Sequence, residues 1–450
     1  MSRKQQAPAD RFPAPPRIRL RSTVLPMVRD PLGFMASLPA HGDLVRIGAG
    51  PLRAYVACSP QIARSMLAND RDFDKGGPVY DQARVFLGNG LASCGHADHR
   101  IKRRQMQPAF HRARMPGYAQ IMSERIDALT GTDWHHGQTI DPREEFYSIV
   151  VATTAAALFG TDPDAADISR SYRATQETLT AGFRRMADPT GLTARLPTRA
   201  NRRYQQAVAE WSALVHQTAR QARRDGPDRG TLLSALAHSR NQDGTAALTD
   251  AELHDQIKTL MVAGYESTSS ALAWACHLLA AHPDIQEHLH AEARSVLDGR
   301  PADFSDLPRL ELTRQVLLEA LRLYPVGWLF TRRTTRDTEL GGYRLPQGTT
   351  TVFCTYLLHR LADWFPEPAV FDPGRWAGPG HPERSPAFMP FGSGARQCIG
   401  NDFALTLAPL LLATLADRWH LTIPPGAPRA RPLPHLTLVP SPAPLTLHRR

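Results

Sequence analysis

With 450 residues, 42% of them hydrophobic, and a formal net charge of +10, the chain has material for roughly one to three globular domains with sizeable cores. Its five cysteines (Cys58, Cys94, Cys276, Cys354 and Cys398) are odd in number and contain no CxxC pair, which excludes a disulfide framework or zinc-finger pattern and points to a reducing cytoplasm. The apolar runs at 149–159 and 407–416 fall short of the roughly 20 residues a membrane span needs, and the arginines lack the aromatic interleaving of a nucleic-acid site.

Residues 1–20 are basic and proline-containing without an apolar core, which predicts a flexible arm rather than a signal peptide. Residues 42–58 alternate apolar and polar around a Gly-Pro turn, the pattern of a hairpin. Ser59 and Pro60 then cap and open a helix. From about 97 to 300 the sequence reads as helix, interrupted by loops at 188–198 and 224–230. Within it, Thr249 and Glu252 form a capping box and Pro283 a stop, bounding a helix of about 30 residues, roughly 45 Å long. Proline-rich 363–392 predicts irregular structure, and the tail predicts short strands. The whole is mainly α with small β-sheets, and residues 21–450 form one domain.

Four constellations carry chemistry. In "FGSGARQCIG" (391–400) a lone thiol, Cys398, stands at a helix start among Gly392, Gly394 and Gly400, with Arg396 nearby. The helix end and its free N–H groups favour a thiolate, and the glycines let backbone approach something large and flat. A metal carried by a non-protein ligand, such as haem, fits this. In the long helix, "AGYESTSS" places Glu266 and Ser267 in an otherwise apolar stretch. Alone, that pattern reads as side chains facing solvent or bonding back to the preceding turn. Glu319 and Arg322 share a helix face, a pair worth only about 0.2–0.5 kcal/mol on a surface. "HADHRIKRR" (96–104) is a basic helix.

The first stretch resembles the cysteine loop F-x-x-G-x-R-x-C-x-G of the cytochrome P-450 superfamily, at Phe391, Gly394, Arg396, Cys398 and Gly400. The other three match further motifs of that family in the same order. The resemblance implies the cytochrome P-450 fold, haem b ligated by Cys398, and a cofactor cradle of Phe391, Gly394, Arg396 and Gly400. His99, Arg103 and Arg332 would contact the haem propionates. Glu266 and Ser267 would relay protons to dioxygen, with Ser267 standing where threonine is usual. Glu319, Arg322 and Arg375 would brace the haem loop as a buried network. Leu407 departs from the glutamate many relatives carry there, which bears on packing or docking rather than chemistry. The substrate pocket would include Ala263, Val326, Trp328 and Phe330, apolar walls suited to a small hydrophobic molecule.

The absence of a membrane anchor implies the bacterial, cytoplasmic arrangement, with electrons from a separate ferredoxin and ferredoxin reductase. Arg100, Lys102 and Arg104 are candidates for docking such an acidic carrier. Residues 29–47, 196–204 and 322–348 resemble actinobacterial sesquiterpene oxidases, which implies a terpenoid substrate. A polyketide or fatty-acyl hydroxylase, a peroxide-using relative and a non-catalytic haem-thiolate binder are the competing readings. The Glu266–Ser267 pair argues against the last two.

Overall fold

The computed structural model describes residues 14–18, 25–27, 29–48, 53–132, 134–186, 196–224, 226, 231–240, 243–378 and 382–450. Most of the predicted arm, residues 188–195 of the first loop, and 225 and 227–230 of the second lie outside this set. The described part of the arm is not free. Arg17 bridges Arg46, and Ile18 N–H donates to the Arg46 carbonyl at 3.1 Å.

The helices in chain order are α1 (Pro31–Ser37), α2 (Pro60–Ala68), α3 (Pro78–Leu87), α4 (His96–Met106), α5 (Met115–Thr132), α6 (Pro142–Thr154) and α7 (Ala165–Met186). They continue as α8 (Arg199–Arg224), α9 (Leu232–Ala237), α10 (Asp250–Ala281), α11 (Pro283–Leu297), α12 (Glu311–Leu323), α13 (Thr355–Leu358) and α14 (Asn401–Arg418). Local chemistry sets the ends that sequence predicted. Ser59 accepts from Ile62 N–H with Pro60 in the first turn of α2. Thr249 and Glu252 close a full capping box on α10, a helix of 32 residues. Most of α10 is buried, so it crosses the interior.

The hairpin is β1 (Leu44–Ile47) and β2 (Ala54–Ala57). With β3 (Phe73–Lys75), β5 (Leu329–Thr334) and β8 (Thr350–Cys354) it forms a five-stranded sheet in the order β1-β2-β8-β5-β3, in which β2 and β8 run parallel. β4 (Thr139–Ile140), β9 (Trp419–Thr422) and β12 (Leu445–Arg449) make a second sheet in the order β4-β12-β9. β6 (Thr338–Leu340) pairs with β7 (Tyr343–Leu345), and β10 (Pro432–Pro434) with β11 (Leu438–Pro440). The stretch 363–392 holds only short 3₁₀ turns among the described residues, as its prolines require.

Two large apolar clusters build the molecule. One joins α5, α6, α8, α10 and α14; the other packs α1 and α2 on the five-stranded sheet. Leu407 is fully buried in the first, so its role is packing. A small third cluster contains Leu318, Phe365, Trp376 and Phe388. Residues 388–403 run through the junction: Phe388 belongs to the third cluster, Met389 to the sheet cluster, and Phe403 to the helical one. The cysteine loop is therefore anchored on both sides by separate hydrophobic bodies.

Candidate active site

The loop is shaped by its backbone. Cys398 N–H donates to the Phe391 carbonyl at 2.8 Å, closing a turn that contains the half-buried Phe391 ring. Gly394 has φ +69°, and a side chain there would collide with the Leu67 carbonyl at the end of α2. Gly392 has φ +71° and faces open space, while a Cβ on Gly400 would make only ordinary contacts with Phe110 and Cys398. Gly394 thus serves the protein's own packing, and the other two leave room beside the sulfur. His359 pins the approach to the loop: its Nε2 accepts the Met389 N–H at 3.0 Å, so burial holds the ring neutral, with a pKa of about 3.

Four cysteines are buried; Cys398 is exposed. Its thiol is nonetheless strongly desolvated by the surrounding protein, the combination expected of a recess rather than of the outer surface. Burial pushes its thiol pKa up, opposed by the Gly400 N–H, Arg103 and Lys75. Burial thus opposes the thiolate that the helix start favours, and a coordinated metal ion would hold the sulfur deprotonated. Accessible positions also occur on α10. Ala263 is exposed and Gly264 and Ser267 half-exposed, within a turn whose Leu260, Met261, Tyr265 and Glu266 are buried. A cleft of about 360 Å³ lined by Phe159, Leu214, Met261 and Tyr265 lies on the opposite face of α10 and contains none of the predicted residues.

Basic side chains converge beside the loop. Arg396 is neutralised by Asp70 and Asp74, each at 3.0 Å, and donates to the Cys94 carbonyl. Arg103 donates to the Gln397 carbonyl at 2.6 Å. Arg332 is buried, donating to Tyr80 Oη at 3.1 Å and the Thr331 carbonyl at 2.9 Å. Lys75 lies directly across the β3–β5 ladder from Arg332, and its Nζ donates to the Ala92 carbonyl at 2.6 Å. Like charges directly opposite on a sheet repel. Among the described residues Lys75, Arg103 and Arg332 have no carboxylate ion pair. Desolvation, then Arg332 and Arg396, hold the Lys75 pKa well below its usual value. Burial, then Arg396, Lys75 and Arg103, drop that of His99 to about 3.

This donor set fits haem. Buried Arg332 and half-buried Lys75 and Arg103 lack carboxylate partners among the described residues, the loop leaves open space beside a single thiol, and two carboxylates would settle the charge. Arg396 already has its partners and is better read as a strut between the loop and residues 70–74. Lys75 and Tyr80 were not found by sequence reasoning; only the pairing of strand "FDK" with β5 reveals them. Lys102 is a correction: it is buried and donates to the Asn89 carbonyl, so it is no docking residue, whereas Arg100 and Arg104 are exposed.

The predicted brace is assembled. Arg322 forms a bidentate pair with Glu319 at 2.8 and 2.7 Å, both side chains fully buried. Its remaining N–H groups reach the carbonyls of His359, Pro368 and Val370. Glu319 also accepts from Asp372 N–H at 3.1 Å, Arg375 at 3.5 Å and Trp376 Nε1 at 2.9 Å. Every polar group of the pair is satisfied, the condition under which buried charge is tolerated.

Glu266 and Ser267 do not bond each other. Ser267 Oγ donates back to the Ala263 carbonyl at 2.5 Å, the bond a helical serine makes on its own. Glu266 turns away from solvent, accepting from Gln176 Nε2 at 2.9 Å and Ser270 Oγ at 3.2 Å. Burial raises its carboxyl pKa from 4.5 to about 7, against the opposing pull of Gln176, Arg143 and Ser270. In the predicted pocket, Val326 and Trp328 are buried, Trp328 Nε1 donating to the His435 carbonyl at 2.9 Å. Phe330 stacks on Phe353 at 5.0 Å, and a Cβ on Gly327 would strike the Phe330 ring.

Two outcomes check these geometries. Arg322→Met leaves Glu319 short of its main partner and lowers unfolding stability by about 3–5 kcal/mol. The double variant Glu319→Leu/Arg322→Met recovers part of that loss, so a strictly additive urea-denaturation cycle would refute the pairing. Glu266 retains a proton in the folded state between pH 4.5 and about 7 that the unfolded chain has lost. Stability therefore falls as pH rises through this window, by up to about 1.4 kcal/mol per pH unit, and its contribution is flat above it. Glu266→Gln removes that slope, measured as urea midpoints against pH.

Comparison with known proteins agrees with the site. The Cytochrome P-450 family profile matches residues 33–447. The chain is 42% identical over 450 aligned residues to cyclooctatin synthase of Streptomyces melanosporofaciens, covering 98% of this chain and 97% of that protein. It is 45% identical over 406 residues to pentalenene oxygenase of Streptomyces avermitilis, covering 89% of each. It is 41% identical over 428 residues to cyclooctat-9-en-7-ol 5-monooxygenase of S. melanosporofaciens, covering 94% of this chain and 93% of that protein. An accessible cysteine, its cationic surround, the buried brace and a match spanning almost the whole sequence converge: this chain is a haem-thiolate monooxygenase of the cytochrome P-450 family.

Proposed function

We propose that the chain oxidises a terpenoid skeleton, using haem b, dioxygen, and electrons from a cytoplasmic ferredoxin and ferredoxin reductase, with residues 21–450 acting as one haem domain. The observation that carries the cofactor reading is the uncompensated Lys75–Arg332 pair beside the accessible Cys398. The terpenoid reading is supported by the activities for which the relatives are named and by the apolar Val326, Trp328 and Phe330. A fatty-acyl substrate would call for a cation among those pocket residues, and they supply none.

Cys398 would ligate the iron, His99, Arg103, Lys75 and Arg332 would hold the propionates, and Gly392 and Gly400 would leave the loop side clear. When bound, haem with a thiolate ligand supplies dioxygen activation and insertion of one oxygen atom into a C–H bond. The protein's share is positioning and protons. Ala263, Val326 and Phe330 exclude water and orient the hydrocarbon. Glu266 holds a proton at its carboxyl near neutral pH, where a general acid works best. Its hydrogen bonds go to Gln176 and Ser270 rather than Ser267, so a proton passing to Ser267 crosses at least one bridging water. Exposed Arg100 and Arg104 offer an acidic redox partner its docking charge.

The carbon monoxide difference spectrum of the reduced protein tests ligation. The expected result is a red-shifted Soret band that Cys398→Ala loses; a band typical of a neutral ligand in the unaltered protein would overturn the reading. Lys75→Met and Arg332→Met should each release haem to apomyoglobin on the order of tenfold faster, the value of a charged hydrogen bond. Incubation with sesquiterpene and diterpene hydrocarbons, a ferredoxin and its reductase should yield alcohols carrying one atom of labelled dioxygen; fatty acids consumed in preference would replace the terpenoid assignment.

A further inference from the structure

The acid on α10 is not held by a neighbouring cation but through an amide. Arg143 Nη2 on α6 donates to Gln176 Oε1 on α7 at 3.0 Å, and Gln176 Nε2 donates to Glu266 Oε2 at 2.9 Å. Arginine has only donors, so it fixes which end of the amide faces it. The other end must then donate to the carboxyl. Ser270 Oγ, on the remaining carboxyl oxygen, is a rotor that can give or take a hydrogen bond. The carboxyl therefore has one partner that serves either protonation state equally and one, a fixed donor, that bonds the anion more strongly than the neutral acid. The other ionisable groups facing it are the Tyr147 and Tyr172 phenols from α6 and α7, both raised by burial and neutral.

The helix carrying Gln176 also roofs the predicted pocket. About one turn on, Thr180 Oγ1 lies 3.3 Å from His435 Nδ1. Gly182 packs against Leu436 closely enough that a Cβ would clash, and the Phe183 ring stands 6.1 Å from Trp328. The Trp328 indole is itself tied to the His435 carbonyl. One helix thus touches Trp328 near its C-terminal end and the buried acid from its middle, about two turns away.

We infer that Gln176, oriented by Arg143, is a positioning residue that sets the protonation of Glu266 and transmits to it the seating of α7 on the pocket roof. This role rests on the monooxygenase reading for its purpose but not for its test. With burial favouring the acid and the amide favouring the anion, the carboxyl is balanced near neutrality and a small displacement of α7 tips it. Loss of the amide donor leaves the acid protonated; it does not remove the acid.

The test is a pH-dependent difference infrared titration of the protonated Glu266 carboxyl in the purified holoprotein, assigned by subtracting Glu266→Gln. Gln176→Leu should raise the midpoint by about one pH unit, a tenfold change in the dissociation constant. Arg143→Leu, which frees the amide to flip, should raise it in the same direction by less. Phe183→Ala, which loosens α7 from Trp328, should move the midpoint in the wild-type background and leave it unmoved in the Gln176→Leu background. A merely structural Gln176 would lower thermal stability and leave all midpoints in place, which overturns the proposal. Equal shifts from Phe183→Ala in both backgrounds would overturn the link to the roof. None of these readings depends on turnover, so failure of the terpenoid assignment would be seen separately, in the product analysis.

Discussion

A surplus of wholly and partly buried basic side chains organises the site side of this molecule. Lys75 and Arg332 face one another across a strand pair, with Arg103 and neutral His99 close by, and of the basic residues here only Arg396 has carboxylate partners among the described residues. Such an arrangement is unfavourable alone, because desolvated like charges repel. It becomes favourable when a ligand brings two carboxylates. The cradle therefore presents a demand that two carboxylates of a cofactor would meet, so cofactor binding would stabilise the fold. The sheet, the basic helix and the cysteine loop converge on this point.

The brace works by the opposite logic. Glu319 and Arg322 are at least as deeply buried, yet every donor and acceptor is satisfied within the chain. It asks nothing of a ligand and holds the 368–376 segment whatever the site contains. His359 extends that stiffness to the loop by taking the Met389 N–H. A self-sufficient scaffold thus stands beside an unsatisfied site, and that contrast separates what the fold needs from what function needs.

Much of this was legible in the sequence because it depends on local rules. The capping box at Thr249 and Glu252, the Ser-Pro start at 59–60 and the Gly-Pro hairpin are short-range chemistry, and the structure has them where the residues stand. Glu319 and Arg322 were legible through three-residue spacing and Arg375 only through resemblance. What escaped depends on partners distant in the chain. Lys75 gains meaning only from β5, and Gln176 is one polar residue in an amphipathic helix until its amide is seen against Glu266. Lys102 looked like surface charge within a basic run, but α4 turns that side chain inward. At Cys398 the helix end is readable in the sequence, whereas the burial that opposes it depends on the folded surroundings.

The parallel pairing of β2 with β8 has a consequence for synthesis. The two strands are separated by roughly 300 residues, so the N-terminal hairpin leaves the ribosome long before its partner exists. At roughly 5–20 residues per second the delay is on the order of tens of seconds. Throughout it, one edge of β2 offers unpaired backbone groups and the apolar side chains Tyr55 and Val56, the surface that invites pairing with another chain. Slow translation or crowded expression lengthens the exposure in proportion. Shielding of that early hairpin during synthesis thus bears on the yield of folded enzyme independently of its final stability.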